Sequence, residues 1–440
     1  MAMTFGWRGQ FLRVNLTSGK LCSEPLASEE VKDSIGAHGL AIHLYGKDVR
    51  AGVEPGSEEN ALILATSPLT GTLLPNGGHY SVVTRATRGA GLSCANLGGA
   101  WGPELKYAGF DAIVVQGKSP RPVYLWISDG VAELRDAGLL WGKNVREFGD
   151  LLRAETDKKA HVCCIGPAGE NRLGVAAIVG DAKFASGAKG VAAIAGEKNL
   201  KAIVVRGTKG IRLARAAEFM ETTQRLRHDS ATTILRGKGS RLQGPVLLVT
   251  SVAEDNEALS SDGVRPRSCF GCTVVFSSFA DDSTGETIAR FHNESLPQVD
   301  AAQLREQRAF IDLGLDYVSA KTLLASGKYD DMQDQVELAG KLARGELGEN
   351  TEAEVKPGEV GNSGCVVGGY VLVPAIATAG LRDDSGAVLA AAESAGCCPF
   401  AAVLMKAPEI ASLLSSATGM DYSPEDVLRA GRRIATAAGK

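Results

Sequence analysis

Two cysteines separated by two residues, Cys269 and Cys272, are the clearest candidates for metal chemistry in this sequence. A C-x-x-C pair directs two thiolates at one soft metal, and in a reducing compartment it is more often a metal or cluster ligand than a disulfide. The chain has nine cysteines, and their irregular spacing is unlike the framework of a secreted disulfide-rich protein. The open alternative is that these cysteines are buried, reduced and inert.

Two glycine pairs, Gly77–Gly78 and Gly98–Gly99, are candidates for holding an anion. Without a Cβ, backbone N–H groups can approach a phosphate closely. Asn96, just before the second pair, offers an amide oxygen of the kind that binds Mg²⁺ between phosphates. A third segment, residues 184–190, again combines small residues with a cation, Lys189. Taken alone, each segment is explained more simply as a glycine-rich turn between strands.

The elements that carry these residues change in character along the chain. Up to about residue 208, short apolar runs bounded by glycine and proline predict a β-rich domain with a few helices. The predicted strands are residues 10–16, 61–65, 80–84, 112–116, 123–127 and 202–205. The predicted helices of this part are residues 28–35, 145–156 and 184–196.

Beyond residue 208, helical spacing of apolar residues and strong helix formers prevail. Helices are predicted at residues 216–227, 301–325, 332–344, 387–395 and 424–438, and loops at 238–251, 280–287 and 345–364. The sequence therefore predicts an α+β fold: a β-rich domain (1–208), an α-helical domain with the C-x-x-C loop (209–345) and a C-terminal α-helical domain (346–440).

The composition indicates a globular protein that does not bind nucleic acid. Hydrophobic residues make up 44% of the chain, enough to bury substantial cores. The net charge of -4 leaves no excess of Lys and Arg to neutralise a phosphate backbone. No apolar run has the length of a membrane span, and the N-terminus lacks the apolar core of a signal peptide. We therefore expect a cytoplasmic protein with no nucleic-acid and no membrane partner.

From its first predicted strand onward, the sequence resembles the aldehyde:ferredoxin oxidoreductase family. The matching segments are Gly9-Gln10-Phe11-Leu12-Arg13-Val14-Asn15-Leu16, Ser67-Pro68-Leu69-Thr70-Gly71, Ala95-Asn96 with Gly98-Gly99, Glu104-Leu105-Lys106, Asp111-Ala112-Ile113-Val114-Val115, Ile165-Gly166-Pro167-Ala168-Gly169-Glu170-Asn171 and Lys198-Asn199-Leu200-Lys201-Ala202-Ile203. The resemblance covers roughly residues 7–208. It implies that this part of the chain is the family's pterin-seating β domain.

In that family, two pyranopterin dithiolenes hold tungsten or molybdenum, and Mg²⁺ bridges their phosphates. The resemblance implies that Asn96 and the carbonyl of Ala185 bind the Mg²⁺. The glycines that would surround the phosphates are Gly77, Gly78, Gly98, Gly99 and Gly187. Two basic residues of the family's phosphate site are His79 and Phe184 here, and Lys183 or Lys189 would have to compensate. His79 is either a phosphate contact or an ordinary turn residue.

The resemblance also implies a [4Fe–4S] cluster held by Cys269, Cys272 and Cys398. The family's remaining cysteine ligand is Phe276 in this chain. Water, Cys397 or Cys365 would have to complete the cluster; the alternative is that the cysteines are remnants without a cluster.

Two carboxylates correspond to the family's pair of D-x-x-G-L-C/D pterin motifs. Asp316 ends the first motif, whose leading position is Ile311, and Glu393 replaces the leading aspartate of the second. Such carboxylates accept hydrogen bonds from pterin amino and ring N–H groups. The alternative is a helix carboxylate that faces solvent.

Between Asp316 and Glu393 the chain is much shorter than the family, and the family's acid/base segment has no counterpart. His292 and Glu294 are either a repositioned acid/base pair or surface residues, so the catalytic residues stay unknown. Two functions are consistent with this pattern. One is an oxidoreductase that oxidises or reduces a small carbonyl substrate and exchanges electrons with ferredoxin or another carrier. The other is a degenerate family member that serves as a scaffold, a cofactor-binding protein or a subunit of a homo- or hetero-oligomer.

Three spatial expectations follow. The glycine turns at 77–78, 98–99 and 187 should converge around a cleft, and Cys269, Cys272 and Cys398 should lie together. The apolar replacements Phe184, Phe276 and Ile311 should fill space that polar groups occupy in active relatives.

Overall fold

The structure is a computed structural model, and it describes most of the N-terminal half and parts of the C-terminal half. The described residues are 5–85, 91–182, 184–187, 190–236, 265–266, 269–271, 278–281, 287–290, 301–326, 335–347, 365–367, 370–372, 384–398, 402 and 405–438. Six residues discussed above lie outside these ranges: Cys272, Phe276, His292, Glu294, Lys183 and Lys189.

Seventeen strands are present within the described ranges. They are β1 (Gln10–Asn15), β2 (Lys20–Pro25), β3 (Leu62–Ala65), β4 (Tyr80–Thr84), β5 (Ser93–Leu97), β6 (Ala112–Gln116), β7 (Val123–Ser128), β8 (Val131–Asp136), β9 (His161–Ile165), β10 (Ile178–Gly180), β11 (Phe184–Ser186), β12 (Leu200–Arg206), β13 (Arg265–Pro266), β14 (Ser278–Asp281), β15 (Thr287–Arg290), β16 (Cys365–Val367) and β17 (Tyr370–Leu372). β3, β4 and β5 are buried along their whole length, as expected of strands covered on both faces.

The strands form three sheets. A six-stranded sheet has the order β2-β1-β6-β3-β4-β5, and an eight-stranded sheet has the order β17-β16-β11-β10-β9-β12-β7-β8. A small third sheet joins β13, β14 and β15. β1 pairs in parallel with β6, and β7 pairs in parallel with β12, whereas the other pairings are antiparallel.

The described helices are α1 (Ser28–Ser34), α2 (Ala37–Asp48), α3 (Trp101–Ala108), α4 (Val145–Glu155), α5 (Pro167–Glu170), α6 (Val191–Glu197), α7 (Ala216–Arg236), α8 (Ala301–Asp312), α9 (Tyr317–Ser326), α10 (Gln335–Ala343), α11 (Asp384–Ser394), α12 (Ala407–Thr418) and α13 (Pro424–Ala438). The start of α13 shows why such segments become helical. Ser423 and Asp426 bond to each other's backbone N–H groups at 3.0 and 3.1 Å, and Pro424 occupies the first turn.

The main apolar core lies between the two large sheets. Trp101 of α3 is fully buried there, stacks on Tyr80 with ring centroids 4.5 Å apart, and donates its indole N–H to the carbonyl of Ile203 at 3.0 Å. α8, α9 and α10 add side chains to this core. A second core unites α11, α12 and α13 with residues of the N-terminal half, including Leu69 and Leu74. Both cores thus contain residues from either side of position 208.

The predicted α+β class, with a β-rich N-terminal part, is confirmed. Three predicted elements are wrong. Residues 184–186 form β11 rather than the start of a helix, because β10 and β16 offer hydrogen-bonding partners on both sides. Residues 280–281 and 287 belong to strands rather than to a loop. The predicted helix 301–325 is two helices, because Gly314 between them adopts a positive φ. The division at 208 and 345 stays a prediction.

Among the described helices, none has both the length and the apolar character that a membrane crossing would require.

Candidate functional site

The two glycine pairs, Gly77–Gly78 and Gly98–Gly99, lie next to each other in the structure. A Cβ added to Gly78 would lie 2.6 Å from the carbonyl oxygen of Gly99 and 2.9 Å from the Cβ of Phe270. The carbonyl of Gly99 also accepts the N–H of Phe270 at 3.2 Å. Distances this short leave no room for a side chain, so Gly78 serves close approach of three backbone segments. Residues 269–271 therefore pack against both glycine turns.

Cys269 points at the second glycine turn. Its sulfur lies 2.6 Å from the position of a Cβ on Gly98, and Nε2 of His79 lies 3.1 Å from the same position. Burial raises the pKa of the Cys269 thiol to about 11, opposed in part by the backbone N–H of Gly99, which bonds to the sulfur. Such N–H bonds to sulfur are one means by which proteins tune cysteine ligands of clusters.

The backbone of Asn76 connects the two loops that carry cysteines. Its N–H donates to the carbonyl of Gly271 at 2.9 Å, and its carbonyl accepts the N–H of Cys398 at 3.3 Å. Asn76 adopts a φ of 58°, a left-handed conformation that asparagine tolerates better than most residues. One residue of the first glycine turn thus brings the segments of Cys269 and Cys398 together.

The turn after β3 holds the C-terminal motif. Ser67 Oγ donates to the carbonyl of Ala395 at 2.6 Å. A Cβ on Gly396 would lie 2.4 Å from the Oγ of Ser67. Thr70 Oγ1 in turn donates to the carbonyl of His79 at 3.0 Å. This network ties the segment of Glu393 and Cys398 to the first glycine turn.

The buried ion pair of Lys106 and Asp111 supports the turn after β3. Lys106 Nζ donates to the carbonyl of Ser67 at 2.9 Å and to Asp111 at 3.0 Å, and neither side chain of the pair is exposed. Burial lowers the pKa of Lys106, and the negative charge of Asp111 opposes that shift. Pairing and full hydrogen bonding are what make a charge tolerable at such a depth.

Asn96 lies on β5 with one polar atom unused. Its Oδ1 is 2.5 Å from Ser81 Oγ, and its buried Nδ2 has no hydrogen-bond partner among the described residues. Since a serine hydroxyl both donates and accepts, the amide can equally donate Nδ2 to Ser81 and turn Oδ1 to the unpartnered side. In that orientation the oxygen is available to a cation.

Gly187 of the third glycine segment directly follows β11, and β11 lies against β5. Ala185 is buried and pairs with Val179 and Val366. A Cβ on Gly187 would lie 2.2 Å from the Cβ of Asp316, so this glycine is tightly packed against the first carboxylate.

Asp316 is buried, and its carboxylate has protein partners. Oδ1 accepts the N–H of Ser319 at 2.9 Å, which is the geometry of a cap at the start of α9. Burial raises the pKa of Asp316, and hydrogen bonds from Ser319 and from the backbone of Gly187 oppose the shift. Asp316 therefore joins the third glycine segment to α9. A helix carboxylate facing solvent, the alternative considered above, does not describe this residue.

Glu393 is buried without such partners. Its Oε1 has no hydrogen bond to any residue in the described part of the chain, and burial raises its pKa from 4.5 to about 8. Burial also raises the pKa of the nearby Cys397 to about 12, with the Glu393 charge as a lesser cause. At neutral pH, Glu393 is therefore mostly a neutral carboxylic acid able to donate as well as accept.

His79, like Asn96 and Glu393, has an unused buried atom. Its side chain is buried, its Nδ1 has no partner within the described ranges, and burial lowers its pKa to about 4. His79 is thus a neutral imidazole at neutral pH, with one nitrogen lone pair.

Ile311 occupies an apolar environment. It belongs to the same buried cluster as Val179 and Ala185. Close by, Gly166 and Gly314 pack so tightly that a Cβ on Gly166 would lie 2.6 Å from the N of Gly314. An aspartate at position 311 would be buried among these side chains at a large cost.

The structure thus brings Gly77, Gly78, His79, Gly98, Gly99, Cys269 and Cys398 onto connected turns, with Asn96 two residues before the Gly98 turn. Ala185, Gly187 and Asp316 form a second group on β11 and α9. Within the described ranges, no three His, Cys, Asp or Glu side chains are arranged around a single metal ion. Sequence reasoning missed the roles of Asn76, Ser67 and Lys106. An asparagine before Gly-Gly was the available signal for Asn76.

The N-terminal part of the chain is similar to one family of known proteins. Residues 11–207 match the family model "Aldehyde ferredoxin oxidoreductase, N-terminal domain". The tungsten-containing aldehyde ferredoxin oxidoreductase of Pyrococcus abyssi is 41% identical over 286 residues, which are 65% of this chain and 46% of that protein. The "aliphatic sulfonate oxidoreductase, WOR-like subunit" of Pyrococcus furiosus is 33% identical over 220 residues, 46% of this chain and 35% of that protein. The chain spans about half the length of the tungsten-containing relatives that it matches.

One solved structure matches nearly the whole fold. It is the active site complex BamBC of benzoyl coenzyme A reductase in complex with 1,5-dienoyl-CoA, with a TM-score of 0.74, 20% identity, and coverage of 99% of this chain and 89% of that chain. At this identity the likeness concerns the fold alone.

Proposed function

Because this chain belongs to the aldehyde ferredoxin oxidoreductase family through its N-terminal domain, we propose that it is a redox protein that holds a tungsten or molybdenum bis-pyranopterin. Asn96 Nδ2, His79 Nδ1 and Glu393 Oε1 are among the buried polar atoms that have no partner in the described part of the chain, and their place in this site supports the proposal. Buried polar groups are almost always satisfied in native proteins, so such atoms indicate an ion or ligand that completes them.

These residues fit the groups that a pterin cofactor presents. The glycine N–H groups of the turns at 77–78 and 98–99 would bind phosphate oxygens, and the Asn96 amide oxygen, with the carbonyl of Ala185, would bind Mg²⁺. Glu393, as a neutral acid, would exchange hydrogen bonds with pterin N–H groups and ring nitrogens. Asp316 would accept hydrogen bonds from the other pterin while it caps α9.

When bound, the metal pterin supplies oxidation or reduction of a small carbonyl substrate. The chain's own contribution is to seat it, to exclude water and to hold protons at Glu393. We propose that Cys269, Cys272 and Cys398 bind an iron–sulfur cluster that passes electrons to ferredoxin or another carrier. We propose a cytoplasmic location because a C-x-x-C pair that binds a cluster must stay reduced, which suits a reducing compartment.

The metal and pterin content of the purified protein tests this proposal. Protein purified without air from a host supplied with tungstate or molybdate should carry near-stoichiometric metal, and denaturation should release an oxidisable pterin. Asn96→Ala should lower metal and pterin content at least about tenfold if the amide holds the bridging cation. Asn171→Ala is a matched control, because the side-chain amide of Asn171 donates to the carbonyls of Pro167 and Ala343. Wild-type protein that is folded but free of tungsten, molybdenum and pterin would refute the proposal.

A second candidate function is that of a partner subunit without catalysis of its own. It is favoured by the apolar surroundings of Ile311. The shorter chain between Asp316 and Glu393, inferred from the family resemblance, points the same way. In that case a loaded protein would lack activity with aldehydes and would copurify in a defined ratio with another polypeptide.

A further inference from the structure

The turn that joins β10 to β11 adopts a conformation that its own residues do not favour. Asp181 and Ala182 both have left-handed backbones, with φ values of 49° and 55°. Aspartate eases this conformation through local hydrogen bonds of its short polar side chain, but alanine has no such side chain. Two consecutive left-handed residues other than glycine persist only where the surrounding structure holds them.

The start of β9 holds the first of these residues. Nδ1 of His161 lies 2.8 Å from Oδ2 of Asp181. The other carboxylate oxygen accepts the N–H of Val162 at 3.0 Å, and the N–H of Asp181 donates to the carbonyl of Val162 at 2.7 Å. Asp181 is therefore bound through both its backbone and its side chain, and the imidazole is the charged partner of the carboxylate.

Helix α8 holds the second residue from the other side. Nη1 of Arg308 donates to the carbonyl of Ala182 at 2.6 Å, and its guanidinium pairs with Asp312 of the same helix at 3.0 Å. An arginine keeps its charge throughout the neutral pH range, whereas a histidine can lose its charge there. Of these two contacts with the turn, the one from His161 is therefore the one that changes with pH.

The groups around His161 favour its protonated form. Burial lowers the pKa of His161, but the hydrogen bond and the negative charge of Asp181 raise it, so that the pKa lies above its usual value of 6.5. Glu104 of α3 raises the pKa further as a lesser cause, and Arg153 of α4 opposes it. Other charged groups on the elements packed against β9 are paired: Lys106 with Asp111, Arg146 with Asp312, Lys201 with Glu170, Glu197 with Lys118, and Arg206 with Glu104 and Asp157.

The turn determines where β11 lies. Gly180 pairs with Phe184 on either side of it, and Val179 pairs with Ala185 next along the ladder, so a turn that relaxes would disturb the register at Ala185. We propose that His161 is a positioning residue: its protonated imidazole holds the turn and thereby keeps the carbonyl of Ala185 in place for Mg²⁺. This inference rests on the proposed function, in which that carbonyl binds the cation.

The direction of the pH effect follows from the raised pKa of His161. The stabilisation is fully present below pH 6.5, the ordinary value for histidine, and is lost as the pH rises through the raised pKa.

The first experiment follows hydrogen exchange of the β10 and β11 amides in the full-length protein, with rates corrected for the intrinsic pH dependence of exchange. From about pH 6 to about pH 9, their protection in the wild type should fall at least about threefold. In His161→Gln the protection should be low and equal at both pH values. Asp181→Asn should behave in the same way, although asparagine tolerates the left-handed backbone and keeps an oxygen for the Val162 N–H. His43→Gln is the matched control, because Nε2 of His43 also lies near a carboxylate, 3.6 Å from Glu30, but on α2.

The second experiment measures the Mg²⁺ that protein purified with its pterin retains after dialysis. Wild type and His43→Gln should lose at least about twice as much Mg²⁺ at about pH 9 as at about pH 6. His161→Gln should lose the larger amount at both pH values. A role in hairpin stability alone would change the exchange rates and leave Mg²⁺ retention unaltered.

The pH series of the wild type needs no variant, so misfolding of a variant does not obscure it. Protection of β10 and β11 that is independent of pH overturns the inference and leaves the proposed function standing. Equal Mg²⁺ retention by wild type and His161→Gln does the same. Wild type that carries neither Mg²⁺ nor pterin at either pH overturns the proposed function and the inference together.

Discussion

The carbonyl of Asn76 accepts a hydrogen bond from the N–H of Cys398, at a distance of 3.3 Å. This contact joins a turn of the N-terminal domain to a turn near the far end of the chain, and it places a cysteine at the edge of the glycine-rich site. The chemistry proposed for the protein depends on such contacts between turns, and four predictions test them.

Gly98→Ala should destabilise the protein and displace Cys269 from its position beside the second glycine turn. The new methyl group would lie 2.6 Å from the sulfur of Cys269, and overpacking of this kind typically costs about 1–3 kcal/mol. The free energy of unfolding and the iron retained after reconstitution should both fall. Gly46→Ala is the control: nothing lies within 4 Å of its added Cβ, and alanine inside helix α2 should stabilise by up to about 1 kcal/mol. Equal stability in both variants would contradict the packing described here.

Glu393→Gln should remove a pH dependence of stability. The carboxyl pKa rises from 4.5 to about 8 on folding, so the folded state binds a proton that the unfolded state has lost. Its contribution is fully present below pH 4.5 and is lost as pH rises to about 8. Urea unfolding of the cofactor-free wild type should therefore show declining stability across this window. The glutamine variant should show a flatter profile and, above pH 8, the greater stability. Parallel profiles would mean that Glu393 is ionised in the folded protein.

Asp316→Asn and Asp316→Ala should separate capping from cofactor binding. Asparagine keeps an oxygen that accepts the N–H of Ser319, so its free energy of unfolding should stay within about 1 kcal/mol of wild type, whereas alanine should cost about 1–2 kcal/mol. If the carboxylate also binds pterin, both variants should lose pterin in fluorescence analysis. Full pterin retention by the asparagine variant would restrict Asp316 to the capping role.

Lys106→Met should be strongly destabilising. It leaves Asp111 as an uncompensated buried charge, which typically costs about 3–5 kcal/mol, and it removes the donor that holds the carbonyl of Ser67. Lys118→Met, which breaks the partly exposed pair with Glu197, should cost less than about 1 kcal/mol. Chemical denaturation of both variants gives the comparison, and similar losses would show that the Lys106 pair is not a structural support.

Local signals explain which parts of the fold were predictable. Strands 80–84 and 112–116 were predicted with their observed bounds because apolar β-formers end there at glycine or polar residues. Residues 184–186 were mistaken for helix because small residues favour helices, and the partners that make them a strand lie elsewhere in the sequence. The break at Gly314 depends on its contact with Gly166, which a local pattern cannot reveal.

The candidate site was predictable in its residue types but not in its connections. Glycine pairs, the C-x-x-C pair and Asn96 carry recognisable chemistry in their own sequence neighbourhood. The backbone bridge at Asn76 and the neighbourhood of His79 and Cys269 arise only when distant turns pack together. For the same reason, no local pattern indicates that the Glu393 carboxyl lacks a partner among the described residues whereas the Asp316 carboxylate has two.

The hydrogen bond from Ser67 to Ala395 spans 328 residues of chain. During synthesis the ribosome releases the glycine-rich turns long before the segment that covers them, and domains begin to fold as they emerge. Ser67 and the glycine-rich turns therefore exist for a period without the Ala395 segment that holds them in the finished protein.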